Sequence, residues 1–223
     1  MSKKCINCHL VNFPDNDDCI RCGTSLETAD PAAANKATLT TIIAKRAAIC
    51  VMVCLFVLAG FYLSLIGSAK SLAYEDKQAV NRSIAILNEK GFSEEVFLLQ
   101  NLAAYRASDN WLNASVEKEN AYAATNFPFE IITIYPDFFI YPIDDTERAA
   151  ILLHEAKHLT GKDEKTAYEF VWKNRDRLGW TRAAYRGSLV WQNVRKQTKE
   201  NVPELFACPE FELGDCTEAT FRK

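Results

Sequence analysis

The chain has 223 residues with 26 Lys or Arg against 29 Asp or Glu, a formal net charge of −3. Residues 1–46 hold six basic and five acidic side chains and residues 68–223 hold twenty and twenty-four, so no basic face marks a nucleic-acid partner. Only 8 Gly and 7 Pro interrupt stretches rich in Ala, Leu, Glu and Lys, which favours a mainly α chain with a small β element over a strand-and-turn fold.

In chain order, the first feature is Cys5-x2-Cys8-x10-Cys19-x2-Cys22. Each CxxC makes a tight knuckle that aims two thiolates at one metal, and the spacing predicts a four-cysteine zinc site in a ribbon over 1–27. A module this small cannot build a sufficient core, so metal binding is expected to supply its folding energy. His9 is surplus to a complete set of four thiolates and is expected to be exposed. Residues 28–46 read as a linker, without a strong pattern.

Residues 47–67 contain no charged side chain in 21 positions. At 1.5 Å per residue they make a helix of about 31 Å, the thickness of a hydrocarbon core, with no polar face. Cys50 and Cys54 within it read as small apolar residues. Lys36, Lys45 and Arg46 precede the run, and Lys70 and Lys77 follow it. Counted on basic residues alone, this favours a cytoplasmic N-terminus and an exported C-terminal part, 68–223. The cysteines agree with two redox compartments: zinc thiolates lie before the span, while Cys208 and Cys216 lie beyond it in a loop with Pro209 and Gly214 and are expected to form a disulfide.

Beyond the span, 71–90 reads as a helix closed by Gly91, and Ser93 is expected to cap a second helix to about Ala107. The stretch 127–141 is rich in β-branched and aromatic residues and broken by Pro136, so two short strands are expected there, with 130–135 as an edge strand. The apolar-periodic segment 146–159 follows, with Asp144, Asp145 or Thr146 as N-cap. It carries His154-Glu155-Ala156-Lys157-His158, an HExxH motif. On a helix, His154 and His158 share one face and can bind one Zn²⁺ together, while Glu155 stands beside the metal as a general base. Zinc lowers the pKa of water toward ~7, which makes a nucleophile available at neutral pH. Gly161 ends this helix. Asp163 caps the next, to Leu178, and Thr181 opens a last long helix to about Asn201.

With three histidines in the chain and His9 on another module, the third ligand must be a carboxylate, and Asp163, Glu164 and Glu169 are the candidates. Glu164, Ala167 and Tyr168 lie on one helical face at i, i+3 and i+4. This arrangement, over about 127–178, resembles the gluzincin metallopeptidases. The resemblance implies that Glu164 completes the site from a second helix and that Ala167 lets the helices approach. In several of those proteins an Asp supports the first His from behind; Tyr168 stands at that position here, so the support is changed or lost. Tyr168 is also placed to donate to a developing oxyanion. In such peptidases an edge strand above the active helix binds extended substrate. At the other end of the chain, residues 3–26 resemble a Ran-binding-protein-type zinc finger or a short bacterial zinc ribbon. Asn12 and Gly23 fit the former, but Lys3 and Lys4 stand where that family has a Trp, so the resemblance implies zinc and not RNA binding.

The expectation is therefore a minimal zincin-like α+β domain behind a zinc ribbon and one transmembrane helix. It is read as a single-pass membrane hydrolase with one structural and one catalytic zinc, acting on a peptide. Two alternatives stay open: a non-catalytic, membrane-anchored scaffold whose ribbon docks a cytoplasmic protein, and a metal-dependent hydrolase of a non-peptide bond.

Overall fold

The computed structural model describes residues 2–26, 31–114 and 121–207, with side chains described from residue 40 onward in the first helix. The chain is mainly helical with two small sheets. It forms two units, Met1–Ala59 and Gly60–Lys223.

In the first unit, β1 (Lys3–Lys4) pairs antiparallel with β2 (Val11–Asn12). Its apolar interior is slight: Cys5, Cys19 and Leu26 are buried, with Cys8 and Leu10 beside them. The long helix α1 (Pro31–Ser68) starts in this unit and runs into the second. Within Thr40–Ser68 an 18-residue window has a mean hydropathy of 2.7 and is only 6% buried, so this is a helix long and apolar enough to cross a membrane. Leu55, Phe56, Val57 and Leu58 all face outward, and no side of the helix is polar.

The second unit begins with the last turns of α1. Helices α2 (Tyr74–Glu89) and α3 (Ser93–Asn101) follow. Gly91, at φ +79°, makes the left-handed reversal between them. Ser93 is not a cap: Phe92 holds that position, without a side-chain hydrogen bond, and buries its ring. The helix also stops earlier than expected, because Ala104–Arg106 forms strand β3 instead of a last helical turn. It pairs parallel with β5 (Ile131–Ile134), and β4 (Ala123–Asn126) pairs antiparallel on the other side of β5. The order β3-β5-β4 corrects the expectation of an edge strand at 130–135. Every residue of β5 is buried, which its run Ile-Ile-Thr-Ile required, and the edge beside the helix that carries the HExxH motif is β4.

Pro136 does not separate two strands. It starts the single turn α4 (Asp137–Ile140), a position where its missing N–H costs nothing. Helix α5 (Asp145–His158) then crosses the unit, packed against α2, α3, β4 and α6 (Glu164–Leu178). The expected last helix is two: α7 (Arg182–Tyr185), then α8 (Leu189–Asn201), followed by a 3-10 turn at Pro203–Leu205. The break sits at Gly187-Ser188. Ser188 Oγ accepts from Trp191 N at 3.0 Å and donates to the fully buried Glu147 carboxylate, so its side chain starts α8 and ties it to α5. Trp172, Trp180 and Trp191 stack at centroid distances of 4.8–6.2 Å and lock α6 to α8.

Candidate metal centre and its cleft

Asp144 caps α5, its carboxylate accepting from Thr146 N at 2.9 Å and Glu147 N at 3.0 Å. One turn apart at the other end of the helix, the Nε2 atoms of His154 and His158 stand 3.0 Å from each other. His158 Nδ1 is fixed by the Lys162 carbonyl at 2.8 Å. The turn after the helix is short because Gly161, at φ +71°, reverses it. Asp163 then caps α6 by accepting from Thr166 N at 2.9 Å, which puts Glu164 in the first turn facing the histidines. Glu164 Oε2 lies 3.2 Å from His154 Nε2, and Oε1 lies 3.4 Å from His158 Nε2. Ala167 is fully buried where α6 meets α5, and a larger side chain there would hold the helices apart. Of the other candidate carboxylates, Asp163 is spent on the cap and Glu169 pairs with Lys173 at 2.5 Å.

The donor set fits a zinc ion. Nitrogen and oxygen ligands 2.0–2.1 Å from a tetrahedral centre stand about 3.3 Å apart; the two imidazole nitrogens are 3.0 Å apart, and Glu164 turns Oε2 to His154 at 3.2 Å and Oε1 to His158 at 3.4 Å, with one donor atom of each residue within 4.8 Å of the others. The charge distribution fits too. Burial pushes His158 toward neutrality, but Glu164, the Lys162 carbonyl and Glu155 outweigh it and raise its pKa from 6.5 to about 9. Hydrogen bonds from His154 and then His158 hold the Glu164 carboxyl far below its usual range.

Around this cluster lies a cleft of about 750 Å³. Glu155 lines it, buried, with its Oε2 accepting from Thr125 Oγ1 of β4 at 2.8 Å. Tyr168 packs its ring 4.4 Å from that of His154, and burial raises its hydroxyl well above 10. Tyr168 supplies no acceptor to this imidazole: His154 Nδ1 is buried with no hydrogen-bond partner among the described residues. The far wall is α8, through Asn193, Gln197 and Asn201 at four-residue spacing. Asn193 Nδ2 donates to Tyr122 Oη at 2.8 Å. Sequence reading missed this wall, although three carboxamides on one helical stripe were a readable sign.

No family model, curated protein or solved structure matches the chain. The geometry of its two ligand clusters therefore carries the functional reading.

The second cluster is Cys5, Cys8, Cys19 and Cys22, whose sulfurs all lie within 4.8 Å of one another and could hold a metal ion. Sγ–Sγ distances are 3.5 Å for Cys5–Cys22 and for Cys8–Cys19. Sulfurs 2.3 Å from a tetrahedral zinc would stand about 3.8 Å apart. The two knuckles repeat one pattern: His9 N donates to Cys5 O at 3.0 Å, and Gly23 N to Cys19 O at 2.8 Å. Asn12, buried between them, donates to Cys19 Sγ at 3.6 Å and accepts from Ile20 N at 3.2 Å. Burial opposes ionisation of Cys19, but the N–H groups of Arg21 and Cys22, with Cys8 and Asn12, bring its thiol down to about 6. His9 is exposed and outside the cluster. Cys208 and Cys216 lie outside the described residues.

Proposed function

We propose that the chain is a membrane-anchored zinc hydrolase of the peptidase type. In this reading residues 1–27 form a zinc ribbon, 28–46 a linker, 47–67 the membrane span and 68–223 the catalytic domain. His154, His158 and Glu164 hold the catalytic metal. The observation that carries the reading is the convergence of these three ligand residues in the cleft that Glu155 also lines, bordered by β4, an edge strand among the described residues. A zinc ion there supplies Lewis-acid polarisation of a carbonyl and a water acidic enough to react at neutral pH. Glu155 takes a proton from the attacking water and returns it to the leaving amine. Thr125, hydrogen-bonded to Glu155, aims the carboxylate. The outer edge of β4 offers main-chain hydrogen bonds to an extended peptide, and the carboxamides of α8 face it across the cleft. Tyr168 donates from its hydroxyl to the developing oxyanion.

The N-terminus is cytoplasmic in this reading and the catalytic domain is exported, with Cys208 and Cys216 oxidised. The ribbon is a folded button that docks a cytoplasmic protein.

Metal stoichiometry of the purified full chain tests the proposal. Two zinc ions per chain are expected, with one lost in His154→Ala and the other retained. Cleavage of an unstructured peptide library should vanish in Glu155→Gln with both metals in place. A single zinc that survives His154→Ala would overturn the catalytic site and leave the scaffold reading.

A further inference from the structure

The folded unit does not begin where the apolar helix ends. It reaches back along it. Leu65 is fully buried, and Arg106 Nε donates to Ile66 O at 3.3 Å. Trp111 Nε1 donates to Ser64 Oγ at 3.3 Å, and Trp111 N donates to Ser68 Oγ at 3.3 Å. The rings of Trp111 and Phe129 both pack on Phe61, at 5.6 and 5.4 Å. Two loops, around 109–114 and 127–130, thus lie beside the last two turns of the helix.

Phe61 precedes Ser68 by seven residues, about 10 Å along the axis. If the charge-free stretch 47–67 fills the hydrocarbon core, as the membrane-span reading holds, these loops lie between the acyl–headgroup boundary, beside Ser68, and about 9 Å beneath it, beside Phe61. Their composition suits that depth. Trp111 is 52% exposed and Leu112 40%, and the indole carries its N–H on a hydroxyl while the ring stays outside. A ring with one apolar face and one satisfied polar tip is what membrane–water interfaces select.

The 127–130 loop also reaches the metal cleft. Phe127 lines the cleft and packs its ring on Gly161, whose added Cβ would stand 3.2 Å from Phe127 Cζ. Phe127 and Phe129 are two residues apart, so their Cα atoms are at most about 7 Å from each other. One side of this turn touches the helix and the other touches the site.

We infer that Trp111, Leu112 and Phe129 form a second membrane contact beside the span and hold the mouth of the metal cleft at the bilayer surface. The cleft then takes polypeptide segments that lie on the membrane or emerge from it. The inference rests on the membrane-span reading, and its substrate half also rests on the hydrolase reading.

The test uses the full chain in phosphatidylcholine vesicles brominated at defined acyl depths, with tryptophan emission as the readout. Trp172, Trp180 and Trp191 are at most 3% exposed, so Trp111 is the indole that lipid can reach. Shallow bromines are expected to quench an emission component that Trp111→Phe removes. In that Trp111→Phe background, Phe56→Trp reports the middle of the span and should be quenched by deep bromines. Phe127→Trp reports the cleft mouth and should be quenched by shallow ones. Quenching at Phe56→Trp without any from Trp111 overturns the second contact and leaves the span. This is also the outcome if a second copy of the chain covers the loops. No quenching at Phe56→Trp overturns the span and the inference together. An unquenched Phe127→Trp overturns the placement of the cleft. None of these readouts depends on hydrolysis, so a protein that cleaves nothing would still give the same quenching.

Discussion

The two ligand clusters are built on opposite principles. The four-cysteine module has three buried apolar side chains and a two-residue ladder, so little besides a bound metal could hold its knuckles together. The His/Glu cluster sits on α5 and α6, which are held by apolar packing against α2, α3 and a cluster of tryptophans. In the proposed reading a metal would make the fold of the first region, whereas the fold of the second presents its ligand cluster ready-made. Metal removal should separate them.

The largest effect is expected at the ribbon. A chelator, or Cys19→Ser, removes structural binding energy on the order of 10 kcal/mol and should unfold residues 2–26 completely. Amide dispersion of the ribbon would collapse, while the signals of the second unit persist. A metal-free ribbon with a cooperative melt would contradict the comparison. The converse substitution is Trp172→Ala, which removes a fully buried ring and should cost the second unit roughly 3–5 kcal/mol without touching the ribbon. Denaturant melts followed at both regions would show two independent transitions.

Within the second region, Glu164→Ala should weaken zinc binding by more than the roughly 100-fold seen when outer-shell partners are lost. Asp163→Ala loses the α6 cap, about 1 kcal/mol, and should leave zinc affinity close to wild type. Equal affinities in both variants would remove Glu164 from the ligand set. Acidity gives a smaller, graded effect. Without metal, the His158 proton stabilises the fold below pH 6.5, and that contribution is lost as pH rises through about 9. Zinc competes with this proton, so its affinity should rise about tenfold per unit between pH 7 and 9 and flatten above. Competition titrations with a buffered chelator would show a flat profile if His158 is not a ligand.

The legible parts were those set by local chemistry. Cysteine spacing, the charge-free run, the i,i+4 histidines, the Asp163 cap and a cap for α5 among Asp144, Asp145 and Thr146, which the structure assigns to Asp144, all depend on residues within a short stretch of chain. What was misread depends on partners distant in sequence. Ala104–Arg106 carries no strand pattern of its own and becomes β3 because Ile131–Thr133 offers it a ladder. Thr125 looks like any edge residue until β4 is set against α5, thirty residues on. Lys157 occupies a variable position of the motif, yet it is paired with the buried Glu95 of α3 and lies 3.6 Å over the Phe170 ring. No periodicity announces such a contact.

The bare Nδ1 of His154 has a kinetic consequence. A metal on Nε2 obliges the other ring nitrogen to carry the proton, and here that N–H points into a buried space with no acceptor among the described residues. Stranding such a donor costs about 1–3 kcal/mol, which shortens the residence time of the ion by roughly 5- to 150-fold against a centre with a carboxylate behind its histidine. A zinc ion bound at the His/Glu cluster should then exchange with the surrounding pool while one bound by the four cysteines stays put, and an isotope chase with labelled zinc would resolve one fast and one slow site in the same chain.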